Sequence, residues 1–285
     1  MKIFSCNLAP LQNRIVNEPA PEPNSFFKAV SIVWPVLVYN VISQVVLILF
    51  AYFMQWISLE NTGMQALAEF VRTHSVMVSG VVKALSLTAG AAAVWHWFLR
   101  EEPVISMPCG HKKDAGVLFA LGGFAALAVN VLFALTGFTG SSDAYEQVAE
   151  KQFALPLWAG LILYGIISPV AEEIVFRGIV FNRLRRQYTR GIAIIGSALI
   201  FGIYHGNAVQ AVYGFVLGLL IALLYEKYAS FLVPVILHST ANIFVYVVTS
   251  VAFLQEKSMN YTVFIGSTIL FMVLLAGCLS KKEGD

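Results

Sequence analysis

Eight stretches of this 285-residue chain are apolar almost throughout: roughly 29–57, 76–99, 115–138, 156–181, 191–206, 208–225, 229–252 and 261–280. About 20 such residues cross a hydrocarbon layer as a helix. No water reaches the backbone there, so each segment has to close its own N–H and C=O groups, which a helix does. Composition agrees. Charged residues make up 12% of the chain, against about 25% in an ordinary soluble domain. The mean hydropathy is +0.76. The expected fold class is an all-α integral membrane protein of about eight transmembrane helices. The fifth and sixth stretches are short and joined by a tight Gly206-Asn207 turn, so neither needs to cross the whole bilayer.

Loops of at most about 15 residues leave no room for a soluble domain between spans. No repeat of fixed period is present, so residues 29–280 read as one integral domain. Residues 1–28 are polar and proline-rich (Pro10, Pro19, Pro21, Pro23) and read as a cytosolic tail without a cleavable signal. Residues 281–285 read as a second cytosolic tail. Cys6, Cys109 and Cys278 are scattered and form neither a disulfide framework nor a metal knuckle.

Lys and Arg favour the cytoplasmic side of a membrane protein. With the N-terminus inside, the inner segments hold thirteen of them: Lys2, Arg14, Lys28, Arg100, Lys112, Lys113, Arg183, Arg185, Arg186, Arg190, Lys227, Lys281 and Lys282. The outer segments hold three, Arg72, Lys151 and Lys257, while Lys83 and Arg177 fall within spans. The split places both termini in the cytoplasm and requires an even number of crossings.

Ionisable groups inside spans are functional candidates. Span four carries Glu172, Glu173 and Arg177, span five His205, and span seven His238 and Asn242. At about 1.5 Å per residue from the cytoplasmic ends, Glu172 lies roughly 16 Å deep, His205 roughly 21 Å, His238 roughly 12 Å and Asn242 roughly 18 Å. Three helices remote in sequence therefore put polar groups in one layer. Glu173 and Arg177 are four apart and can pair on one helix face. Glu172 is turned about 100° away, which leaves it for chemistry. His238 and Asn242 also share a face. Pro169 removes a backbone donor just before the carboxylates, which bends span four and frees carbonyls near Gly165. Asn40, Gln44, Lys83, His96 and Asn130 have no spaced partners and read as helix contacts, with Lys83 and His96 snorkelling toward the interfaces. The "GFVLG" of Gly214–Gly218 reads as a packing face of small residues.

A glutamate, two histidines and an amide suit hydrolysis. Glutamate takes a proton from water, a histidine shares that task or protonates a leaving amine, and a His/Asn pair donates to an oxyanion. Glu172, His205 and His238 are also a possible zinc set. No H-E-x-x-H is present. No G-x-S-x-G elbow appears, and Ser239 points away from His238.

These residues resemble the CPBP family, which comprises CAAX-processing endopeptidases and the bacteriocin-processing or immunity proteins related to them (Abi). The resemblance lies in E-E-x-x-x-R at Glu172, Glu173 and Arg177, F-x-x-x-H at Phe201 and His205, and H-x-x-x-N at His238 and Asn242. It covers about residues 156–252, with the active site among spans four, five and seven. It implies an intramembrane endopeptidase whose site opens to the cytosol, in a bacterial-type cell membrane. Glu172 would activate the water, His205 would assist it, and His238 and Asn242 would stabilise the oxyanion. Glu173 and Arg177 would support them. The implied partners are a peptide or lipid-anchored protein substrate and the lipid bilayer, not nucleic acid. The implied cofactor is either none or zinc. Two other readings use the same residues: a non-catalytic immunity or regulatory scaffold, and a proton-coupled transporter.

Overall fold

The computed structural model describes residues 24–59, 63–105 and 114–280. Those residues form helices and turns without a strand. The helices are α1 (Ser25–Ile57), α2 (Gln65–Thr73), α3 (Ser75–Arg100), α4 (Asp114–Leu135), α5 (Asp143–Phe153), α6 (Leu157–Gln187), α7 (Arg190–Tyr204), α8 (Ala208–Tyr228), α9 (Leu232–Ser250), α10 (Ala252–Ser258) and α11 (Tyr261–Ser280).

Seven of these are long and apolar enough to cross a membrane: α1, α3, α4, α6, α8, α9 and α11. The exception among the eight expected spans is α7. It has 15 residues, about 22 Å of helix, shorter than a typical hydrocarbon layer. Gly206 ends the α7 segment at φ +74°, a backbone state that costs glycine little. Asn207 then caps α8, its side chain accepting from the Gln210 N–H at 2.9 Å. The expected tight turn is thus present. Two boundaries move. Asn24 caps α1 through the Phe26 N–H, so that helix begins at Ser25 rather than at 29. Span four runs on to Gln187, taking in the basic turn after 181. Most of the N-terminal tail, including Cys6, and residues 281–285 lie outside the described residues, as does Cys109.

α6 is the central element. Its apolar window is 61% buried, against 11% for the peripheral α11, and residues 171–182 are buried without interruption. It packs against α1, α3, α7 and α9. α4 lies between α9 and α11, α1 runs along α3, and α7 along α8. Small residues draw α7 and α8 together. A Cβ on Gly202 would stand 2.5 Å from the Ala211 carbonyl, and one on Gly218 would stand 3.2 Å from Ala198. The Gly214–Gly218 packing face is thereby in contact.

α6 is interrupted by two π turns, Leu163–Ile167 and Phe176–Phe181, on either side of an α-helical Ser168–Val175. Pro169 explains the first. It offers no N–H to Gly165 O, and the Ser168 N–H reaches back to Leu163 O instead. The Tyr164 carbonyl is left without an intrahelical donor. The Asn242 amide of α9 fills that vacancy, donating from Nδ2 at 2.9 Å.

Candidate active site

Two side chains hold Glu173 from different helices. Arg177 Nη1 donates to Glu173 Oε1 at 3.0 Å, and neither side chain is exposed. His238 Nδ1 lies 2.7 Å from the same oxygen. An ionised carboxylate has no proton to give, so His238 carries its hydrogen on Nδ1 and donates it. Arg177 is fixed in turn. Its Nη2 donates to the Gly218 carbonyl at 3.1 Å, and its guanidinium sits 4.7 Å above the Phe201 ring. The expected Glu173–Arg177 pair is present, but Glu173 does more than satisfy Arg177: it orients a histidine.

Glu172 points to a different neighbourhood, as its rotation requires. Ser168, one helical turn earlier, donates from Oγ to Glu172 Oε1 at 2.6 Å. The other oxygen, Oε2, lies 3.8 Å from His238 Nε2. That is too long for a direct hydrogen bond and about the span that one shared water closes. His238 thus stands between the two glutamates. Its ring meets Phe201 edge-on at 5.4 Å. Phe201 also meets His205 edge-on at 4.9 Å, so one aromatic ring spaces both histidines and stacks on Arg177.

His205 caps the C-terminus of α7 and lies 2.9 Å from the Phe201 carbonyl through Nδ1. That contact assigns the proton to Nδ1. Glu172, His205, His238 and Asn242 all line one cavity of about 450 Å³. Glu173 and Arg177 do not line it and lie behind His238. Asn242 is partly committed through its bond to Tyr164 O. Glu173 on His238 Nδ1 leaves Nε2 as the ring nitrogen facing Glu172. Among the described residues no three His, Cys, Asp or Glu side chains are grouped closely enough to hold an ion.

The cavity also contains residues assigned from sequence to simple helix contacts. Asn40 and Gln44 of α1, Lys83 of α3 and Asn130 of α4 line it with Gln152 of α5. Lys83 therefore does not snorkel away. Depth counting applied to the first three spans would have flagged these residues. Ser168 carried a weaker signal, its spacing of four from Glu172. Toward α5 the lining continues through Thr139, Tyr145 and Gln152. Ion pairs join the arginine-rich end of α6 to its neighbours outside the cavity lining: Arg183 and Arg186 on Glu101 at 2.9 and 2.6 Å, and Arg185 on Glu226 at 3.0 Å.

Fold and site together define a polytopic helical membrane protein that encloses a carboxylate–histidine centre. Residues 154–244 match the family described as type II CAAX prenyl endopeptidase Rce1-like. The chain is 27% identical over 183 residues to the Bacillus subtilis protein named "Putative membrane peptidase YdiL", covering 60% of this chain and 74% of that one. It is 28% identical over 119 residues to the "UPF0177 protein YxdF" of Lactococcus lactis, covering 41% and 62%. No solved structure gives a significant match. The family match and the first relative bear out the resemblance to CPBP proteases for the segment that carries the motifs.

Proposed function

We propose that this protein is an intramembrane endopeptidase that hydrolyses peptide bonds with a water held between Glu172 and His238. The observation that carries this reading is the 3.8 Å separation of Glu172 Oε2 and His238 Nε2. Both groups are braced from behind, by Ser168 and Glu173 respectively. Glu172 takes a proton from the water as its oxygen bonds to the scissile carbonyl carbon. Asn242, with one N–H on Tyr164 O, keeps its second N–H for the developing oxyanion. Glu172 returns that proton to the amine as the C–N bond breaks, and His205, its Nδ1–H held by the Phe201 carbonyl, offers Nε2 to assist the transfer. Glu173 and Arg177 act through His238, so they are positioning residues.

The direction of access belongs to the same proposal. The lining runs toward α5, and none of the residues of the arginine-rich end's ion pairs lines the cavity. If the arginine-rich end is cytoplasmic, as the distribution of Lys and Arg requires, substrates enter from the extracytoplasmic side. That departs from the cytosolic opening implied by family resemblance. Both termini remain cytoplasmic in this arrangement if α7 and α8, packed side by side, enter and leave the membrane on the same side.

The test is cleavage of a quenched apolar peptide by purified protein in detergent. Glu172→Gln should lower turnover by at least about 100-fold, the usual contribution of a positioned base, with an unchanged melting temperature. Full activity in Glu172→Gln would overturn the mechanism. A protein that cleaves nothing in any form would favour the scaffold or transporter readings.

A further inference from the structure

Lys83 is a cation within a membrane-spanning helix, and it faces the same cavity as Glu172. It is about half-buried, and its ammonium makes no hydrogen bond or ion pair among the described residues. Glu172 itself is turned toward Ser168 and His238. The wall of that cavity also carries neutral amides, Asn40, Gln44, Asn130 and Gln152, contributed by three different helices. An ammonium held in an apolar span is costly unless something compensates it. Amides offer dipoles and hydrogen bonds, but no opposite charge. Such a wall offers an anion that enters the cavity amide N–H groups and one cation.

We propose that Lys83 and the surrounding amides form a subsite for a carboxylate of the peptide substrate, and so set which peptides this protein accepts. The inference rests on the peptidase reading for the nature of the ligand. A carboxylate can come from a free C-terminus or from an acidic side chain, and the chemistry is the same. Lys83 is a specificity residue here, not a participant in bond cleavage.

Binding separates this proposal from catalysis. The full chain carrying Glu172→Gln is titrated with three dansylated apolar hexapeptides of one sequence. The first has a free C-terminal carboxylate, the second a C-terminal amide, and the third a C-terminal amide with one internal Glu. At least one anionic peptide should bind about tenfold or more tightly than the neutral one, as a charge-assisted contact does. Whichever anionic peptide is preferred names the source of the carboxylate. Adding Lys83→Met should bring the peptides to equal affinity, and Lys83→Arg should restore the preference. In the Glu172 protein, Lys83→Met should raise KM for the anionic peptide and leave kcat and its pH profile unchanged.

Equal affinities in the Lys83 protein, including no measurable binding of any peptide, would overturn the subsite. So would a preference that survives Lys83→Met, or an effect confined to kcat. Tight, charge-selective binding with no cleavage by the Glu172 protein would instead overturn the peptidase reading alone.

Discussion

The two adjacent glutamates look interchangeable in sequence, yet they face different partners. Glu172 has Ser168 and the cavity, while Glu173 has Arg177 and His238, all buried. Removing one partner of a buried charge pair costs roughly 3–5 kcal/mol, because the other charge stays buried and uncompensated. Glu173→Gln and Arg177→Met should therefore each lower stability by about that amount, and the combined variant should lose clearly less than the sum. Activity should behave differently. The combined variant still lacks the carboxylate that orients His238, so cleavage should not recover with stability. Thermal melting read beside peptide cleavage checks both, and an additive stability loss or a regained activity would refute this division. The Glu173–Arg177 contact was legible because spacing of four is a local rule. The Glu173–His238 contact was not, because 65 residues separate the partners and only helix packing brings them together.

At the scale of elements, the site depends on how closely α7 and α8 approach. Gly202 faces the α8 backbone, with a Cβ there only 2.5 Å from Ala211 O and 3.2 Å from Phe215 N. Backbone cannot rotate away, so Gly202→Ala should push the helices apart and cost about 1–3 kcal/mol. His205 would move with α7, and activity should fall with melting temperature. Gly191 on the same helix meets nothing within 4 Å, so Gly191→Ala is the control. It should be neutral or slightly stabilising, since alanine favours a helix. Equal losses from both substitutions would show that the close approach is unimportant. The freed carbonyl in α6 was readable from Pro169, whose missing donor is a property of one residue. The helix α5 was less visible because its hydrophobic pattern is weak, although Ser142 caps it, accepting from the Tyr145 N–H, and Asp143 and Lys151 suit its two ends. The role of α5 as cavity wall could not be read locally at all. It follows from Tyr246 of α9, whose hydroxyl donates to the Gln152 and Leu155 carbonyls at 3.0 and 3.1 Å.

For the whole molecule, the arrangement predicts a sidedness that can be measured. In a variant with Cys6, Cys109 and Cys278 replaced, Gln147→Cys on α5 should react with an impermeant maleimide in intact cells. Thr189→Cys, beside the arginine-rich end, should react only after lysis. Both positions are exposed, so access alone decides the result, and the reverse pattern would place the cavity mouth in the cytosol. The number of spans was nearly legible because hydropathy registers each apolar segment. What it could not register was that one of them is too short. α7 turns Ile192, Ile195, Leu199 and Ile203 outward, each about half exposed or more, so this side of the molecule meets acyl chains. Its roughly 22 Å falls about 8 Å below a typical hydrocarbon thickness of 30 Å. The bilayer beside His205 has to thin, at a fraction of a kcal/mol for each ångström of mismatch. The protein thereby acts as a local gauge of membrane thickness: in vesicles of progressively longer acyl chains, cleavage by the reconstituted protein should decline, and a rate indifferent to chain length would show that α7 does not deform its surroundings.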